Sequence, residues 1–150
     1  MGTPGTVVRT SLPDGHYYYG RVLEGVWLAF YDLRTVEPVD DLDRIVARPV
    51  LFVLAVHDDL LAPGEWATLG VVPLDGSLRP PRWHFIQDLV DPALCRLIDL
   101  AGHIRAATHE ECVGLEPAAV WEPEHIAERL TDHYAGRPNV WVESLRLRPT

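Results

Sequence analysis

The sequence predicts an α+β fold, mainly β, with antiparallel strands, and three observations carry that reading. Short β-prone runs, separated by Pro and Gly, outnumber helical patterns as far as residue 105. No strand–helix alternation interrupts them, which favours antiparallel over βαβ architecture. Capped helical patterns gather in the last third of the chain. The expected architecture is a strongly twisted or barrel-like sheet, with a short helix near residues 41–47 and C-terminal helices near residues 109–113 and 123–135. All of it forms one domain over residues 1–150.

The elements follow in order. Val7 to Ser11 is β-prone and runs into Leu12-Pro13-Asp14-Gly15, a turn signal. Tyr17 to Leu23 and Gly25 to Tyr31 read as a hairpin joined tightly at Glu24-Gly25. In the second run Val26, Leu28 and Phe30 fall on one face and Trp27, Ala29 and Tyr31 on the other. Both faces are apolar, so this strand is expected to be central and covered on both sides. Asp40 to Val46 fits one or two helical turns, with Asp40 as N-cap and acids at the positive end, before Pro49 ends it. Val50 to Val56 reads as a buried strand. Trp66 to Val72, Trp83 to Gln87 and Leu94 to Leu100 follow as further strands.

Thr108 and Glu111 then fit a capping box, with Gly114 closing a short helix. Pro123 suits a first helical position, Ile126, Leu130 and Tyr134 share one face, and Gly136 with Pro138 stops the helix. Glu122 is then the N-cap, and Trp121 before it pairs with Ile126 as a hydrophobic staple. Trp121 is therefore expected to be structural; the rival reading is an exposed contact residue flanked by Glu122 and Glu124. Val140 to Leu147 reads as a final strand.

Composition narrows the functional classes. There are 22 acidic residues against 13 basic ones, a formal net charge of −9. Every basic residue is arginine, a coding bias without functional meaning, and the arginines are scattered from Arg9 to Arg148. Phosphate binding needs clustered positive charge, so direct nucleic-acid binding is disfavoured. The longest apolar stretch, Val50 to Val56, is too short to cross a bilayer. Met1-Gly2-Thr3-Pro4-Gly5 lacks the basic start and apolar run of a signal peptide. A cytoplasmic chain is expected, with Cys95 and Cys112 reduced and packed as small apolar groups.

No constellation marks an active site. His57-Asp58-Asp59, after the strongest strand, fits either the start of a metal or acid/base site or a solvated acidic turn. His109 and Cys112 stand three apart on a helix, but a structural zinc site needs a second pair and none exists. His125 and His133 lie eight apart, too far to clamp one ion. There is no His-Glu-x-x-His, Gly-x-Ser-x-Gly, P-loop or dinucleotide glycine run. The expectation is therefore no cofactor, no metal and a protein partner. The strand aromatics, Trp66 among them, default to core packing. An exposed subset beside Asp58, Asp59 and Glu65 would make a partner anchor, since Trp and Tyr dominate interface energetics and long-range steering follows charge. On those grounds the candidate partner-binding residues are Asp58, Asp59, Glu65, Trp66, Glu122 and Glu124.

Several stretches resemble the immunity protein 26 family. They are Tyr19-Gly20-Arg21-Val22 after the Pro-Asp-Gly turn, Phe30-Tyr31-Asp32, the loop leading to Trp66, Phe85-Ile86-Gln87-Asp88, and Glu111 to Glu116. The most specific is Ala119-Val120-Trp121-Glu122-Pro123-Glu124-His125-Ile126, continuing to His133-Tyr134. The resemblance spans Gly5 to Leu147, and the first strand, Gly5-Thr6-Val7-Val8, departs from the Gly-Asp and aromatic start of the family. It implies a mainly β immunity protein of bacterial polymorphic toxin systems that neutralises a cognate toxin, with a nuclease suiting the acidic charge. The same family label covers a small phosphotriesterase, so the runner-up is a hydrolase of that kind, although the family pattern carries no catalytic residue onto this chain.

Overall fold

Nine strands and four α-helices are laid down in the computed structural model, which describes residues 2–78 and 82–150. Arg79, one of the thirteen arginines, lies outside the described residues. Six strands form one sheet in the order β5-β1-β2-β3-β4-β9, and three form a second in the order β6-β7-β8. In the large sheet these are β1 (Thr6–Ser11), β2 (Tyr17–Val22), β3 (Trp27–Thr35), β4 (Val50–Val56), β5 (Ala67–Val71) and β9 (Val120–Trp121). The small sheet holds β6 (His84–Gln87), β7 (Cys95–Ile98) and β8 (Ile104–Ala107). All ladders are antiparallel except β4–β9, which is parallel. Of the two expected sheet forms the barrel is not made, because β5 and β9 end the large sheet without pairing to each other.

β3 is central and covered twice over, as its two apolar faces require. Leu28 and Phe30 join Val8, Phe52, Leu54, Trp121, Ile126 and Leu130 on one face. Trp27 and Ala29 pack with Leu23, Val53, Leu74, Leu78 and Leu100 on the other, and Tyr31 with Val39 and Ile45 beside them. Gly20 is needed where β2 passes β3: a Cβ there would lie 2.8 Å from the Leu28 side chain and 2.9 Å from the Ala29 carbonyl oxygen. The ladder shifts register between Tyr18 and Gly20.

The helices obey their caps. In α1 (Leu42–Val46) the cap is Asp41 and not Asp40, because the Asp41 carboxylate accepts the Arg44 amide at 3.3 Å. Asp40 instead pairs with Arg9 at 2.6 Å. In α2 (His109–Cys112) both capping-box bonds between Thr108 and Glu111 are present. In α3 (Pro123–Ala135) Pro123 opens the helix and Gly136, at φ 68°, closes it in the left-handed region. The final strand expected over 140–147 is instead α4 (Val140–Ser144). Asn139 decides this: its side-chain oxygen accepts the Trp141 and Val142 amides at 3.1 and 3.0 Å, an N-cap that outweighs the β-propensity of Val-Trp-Val. Among the described residues no helix is long and apolar enough to cross a membrane.

Candidate partner-binding surface

The parallel β4–β9 ladder sends two chain segments out at the same end of the large sheet. Ala55 pairs with Val120 and Val56 with Trp121, and the His57 amide then donates to the Trp121 carbonyl at 3.1 Å. The turn after β4 (Asp58–Leu61) is a 3-10 turn pinned by Leu60, which is fully buried. The segment after β9 is the start of α3. Asp58 and Asp59 are thereby brought to the same end as Glu122 and Glu124, and all four are exposed. Glu122, although the N-cap, makes no side-chain capping bond. A negative charge near a helix N-terminus is stabilised by its dipole, which favours Glu122 and Glu124 where they stand.

Glu65 is also exposed; its carbonyl accepts the Thr10 hydroxyl at 3.3 Å. Trp66 is different. Its side chain is 5% exposed and lies edge-on to Phe30 at 5.6 Å, so it is a core residue and offers no aromatic anchor to solvent. A Trp next to an acid in a loop gives no sequence signal of which way its ring turns; the Trp66 amide bond to the Leu60 carbonyl folds the turn back and carries the ring inward.

Trp121 is structural, as the staple requires. It is 3% exposed and shares its cluster with Ile126. Arg129 locks it from the other side: the guanidinium lies 5.1 Å from the Trp121 ring and 3.9 Å from the Phe52 ring, and is doubly bonded to the Glu116 carboxylate. His109, His125 and the two thiols are otherwise engaged. His109 Nε2 bonds the Arg148 carbonyl oxygen at 2.8 Å, His125 stacks on Trp141 at 3.9 Å, and Cys95 and Cys112 are both reduced and buried. Burial pushes the Cys112 thiol up to about 11. Among the described residues no group of three or more His, Cys, Asp or Glu side chains stands close enough to hold a metal ion.

Two features had no clear sequence signal. One is a cleft of about 570 Å³ between the sheets, lined by His84, Trp83, Arg82, Arg105, Glu111 and Phe52 among others. His84 is 2% exposed, bonds the Val53 carbonyl oxygen through Nε2 at 2.7 Å and stacks on Trp27 at 4.3 Å. Burial holds its pKa below the ordinary histidine range. The other is the β6–β7 turn, where Leu89 and Val90 are 91% and 90% exposed.

Against known proteins, the family model for immunity protein 26 matches residues 3–96, more than half of the chain. The chain belongs to the immunity protein 26 family. It therefore has the role of an immunity protein, whose protein partner is a toxin. No curated protein and no solved structure gives a match. The matched span contains the large sheet apart from β9, and β6 with the start of β7. The Ala119 to Tyr134 run, which carries the resemblance most specifically, lies beyond it. In this immunity protein 26 family member, Asp58, Asp59 and Glu65 are thus inside the matched region, and Glu122 and Glu124 are outside it.

Proposed function

We propose that this immunity protein binds and neutralises one cognate polymorphic toxin in the bacterial cytoplasm, and that the toxin is a nuclease met by the acidic end of the large sheet. The observation that carries this reading is the parallel exit of β4 and β9, which gathers Asp58, Asp59, Glu122 and Glu124 at one end of a chain with net charge −9. A nuclease presents a basic cleft to its substrate. An acidic surface gains encounter rate and partner choice against such a cleft, and blocks it without chemistry of its own. Glu65 stands on the same loop as Asp58 and Asp59 and extends the negative field.

The test is neutralisation of the toxin domain encoded beside this chain. Co-expression of the two should restore growth of cells that the toxin domain alone arrests, and the purified pair should form a stable complex that no longer degrades nucleic acid. Arrest that persists despite soluble expression of both chains contradicts the reading.

A further inference from the structure

Leu89 and Val90 are the two most exposed large hydrophobic side chains among the described residues, at 91% and 90%, and Leu94 at the base of the same turn is 60% exposed. Adjacent bare aliphatics are tolerable on a mobile loop, but this turn is tied on every side. The Asp88 carboxylate accepts the Val90 and Asp91 amides at 2.9 and 2.8 Å, and the Asp91 carboxylate accepts the Ala93 amide at 3.0 Å. The Asp88 amide closes the base onto the Leu94 carbonyl at 2.9 Å. From the C-terminal segment, the Arg148 guanidinium donates to the Leu89 carbonyl at 3.2 Å and to that of Asp88, and Gln87 brackets the Arg148 backbone. The backbone that presents Leu89 and Val90 is thus fixed by hydrogen bonds within the chain itself. A partner would meet a preorganised pair whose ordering entropy is already lost.

The surroundings show which way such a partner lies. Leu89 borders a groove of about 320 Å³ whose walls include Ile86, Pro117, Ala118, Ala119 and Leu145. The groove's wall at Ala119 continues into Val120, 58% exposed, and then into Glu122 and Glu124. Its two arginines are spent within the chain: Arg146 pairs with Glu143 at 2.8 Å and Arg148 holds the turn. What remains is an apolar strip leading into an acidic end. That arrangement fits the usual anatomy of recognition, in which a few apolar anchors carry affinity and charges around them set encounter.

We propose that Leu89 and Val90 are the apolar anchor of the toxin-binding surface. They enter an apolar socket on the toxin domain whose basic border meets the acidic end. This rests on the proposed function above and adds the residues that hold the complex together once charge has brought the partners in contact. Anchors and steering charges separate kinetically, since aliphatic contacts act on dissociation and outlying charges on association.

The experiment compares wild type with Leu89→Ser/Val90→Ser by surface-immobilised kinetics against the neighbouring toxin domain, with thermal unfolding and sedimentation run in parallel. The expected result is a dissociation rate at least about thirtyfold faster, as for loss of two well-buried aliphatic contacts. The association rate and its salt dependence should stay unchanged, and so should the unfolding midpoint. Wild-type binding with a variant rate within threefold overturns the anchor and leaves the proposed function standing. Wild type that fails to bind at all overturns both. A wild-type dimer that the variant converts to monomer, at unchanged toxin affinity, makes the turn a self-association surface and also overturns the proposal.

Discussion

β3 in the large sheet and the β6–β7 hairpin in the small one are both antiparallel ladders, yet they put their apolar residues to opposite use. Along β3 Trp27, Leu28, Ala29, Phe30 and Tyr31 are all buried, because α3 covers one face and α1 with the 72–78 segment covers the other. In the hairpin Phe85, Cys95 and Leu97 are buried against Cys112, while the turn between the strands leaves Leu89 and Val90 in water. An apolar residue holds the core in the first region and stands bare to solvent in the second, where it is proposed to serve recognition. The sequence context differs too: Trp27 to Tyr31 is an unbroken apolar run, whereas Leu89 and Val90 stand between Asp88 and Asp91-Pro92.

The largest effect is expected at the junction of core and acidic end, where Trp121 is buried beside Glu122. Trp121→Ala should lower stability by about 3–5 kcal/mol, the usual cost of emptying a buried aromatic site. Denaturant unfolding measures it. A midpoint equal to wild type, with neutralisation lost, would instead make Trp121 a contact residue. Arg129→Met should cost about 1–3 kcal/mol, because it leaves the half-buried Glu116 carboxylate without its partner and strips the cation from Phe52 and Trp121. If Arg129→Met unfolds at the wild-type midpoint, the lock on Trp121 is not energetic.

Asn139→Ala should cost about 1 kcal/mol through loss of the α4 cap, read as a shift of the denaturation midpoint. A larger loss would show that α4 belongs to the core and not to its margin. His84 gives a pH-dependent prediction whose sign follows from burial. Its folded-state pKa lies below the ordinary value of 6.5. The folded chain therefore binds its proton less readily than the unfolded chain, and the stability it contributes is present above 6.5 and lost as pH falls. Unfolding midpoints measured from about pH 7.5 to 5 should drop for wild type and drop less for His84→Gln. Equal drops would place the acid sensitivity elsewhere.

How much of this was legible depended on how completely packing agreed with local pattern. β4 runs over Val50–Val56 as read, because an uninterrupted apolar run is unambiguous when both faces are buried. The ends of α3 are also where expected, since Pro123 and Gly136 act locally. β8 carries no strand signal in the sequence. Ile104-Arg105-Ala106-Ala107 carries little strand propensity and is mostly exposed; it is a strand because Ile104 to Ala107 pair with Ile98 to Cys95 across a turn capped by Asp99. β9 is two residues long, and its pairing with β4 cannot be seen from within the segment. The same holds for the site. The acids were visible as charge, but their convergence depends on that long-range ladder. The inward turn of Trp66 and the bare turn at Leu89 depend on hydrogen bonds made far along the chain or across a loop.

The role given to the acidic end is tested most directly by the association rate with the toxin domain across a salt series from about 0.05 to 0.5 M, over which screening shortens the reach of surface charge several-fold. Wild type should associate at least about tenfold more slowly at the high end, and Asp58→Asn/Asp59→Asn/Glu122→Gln/Glu124→Gln should start slower and show a flatter slope. A flat wild-type series, or a variant that keeps the wild-type slope, would contradict steering by these four carboxylates.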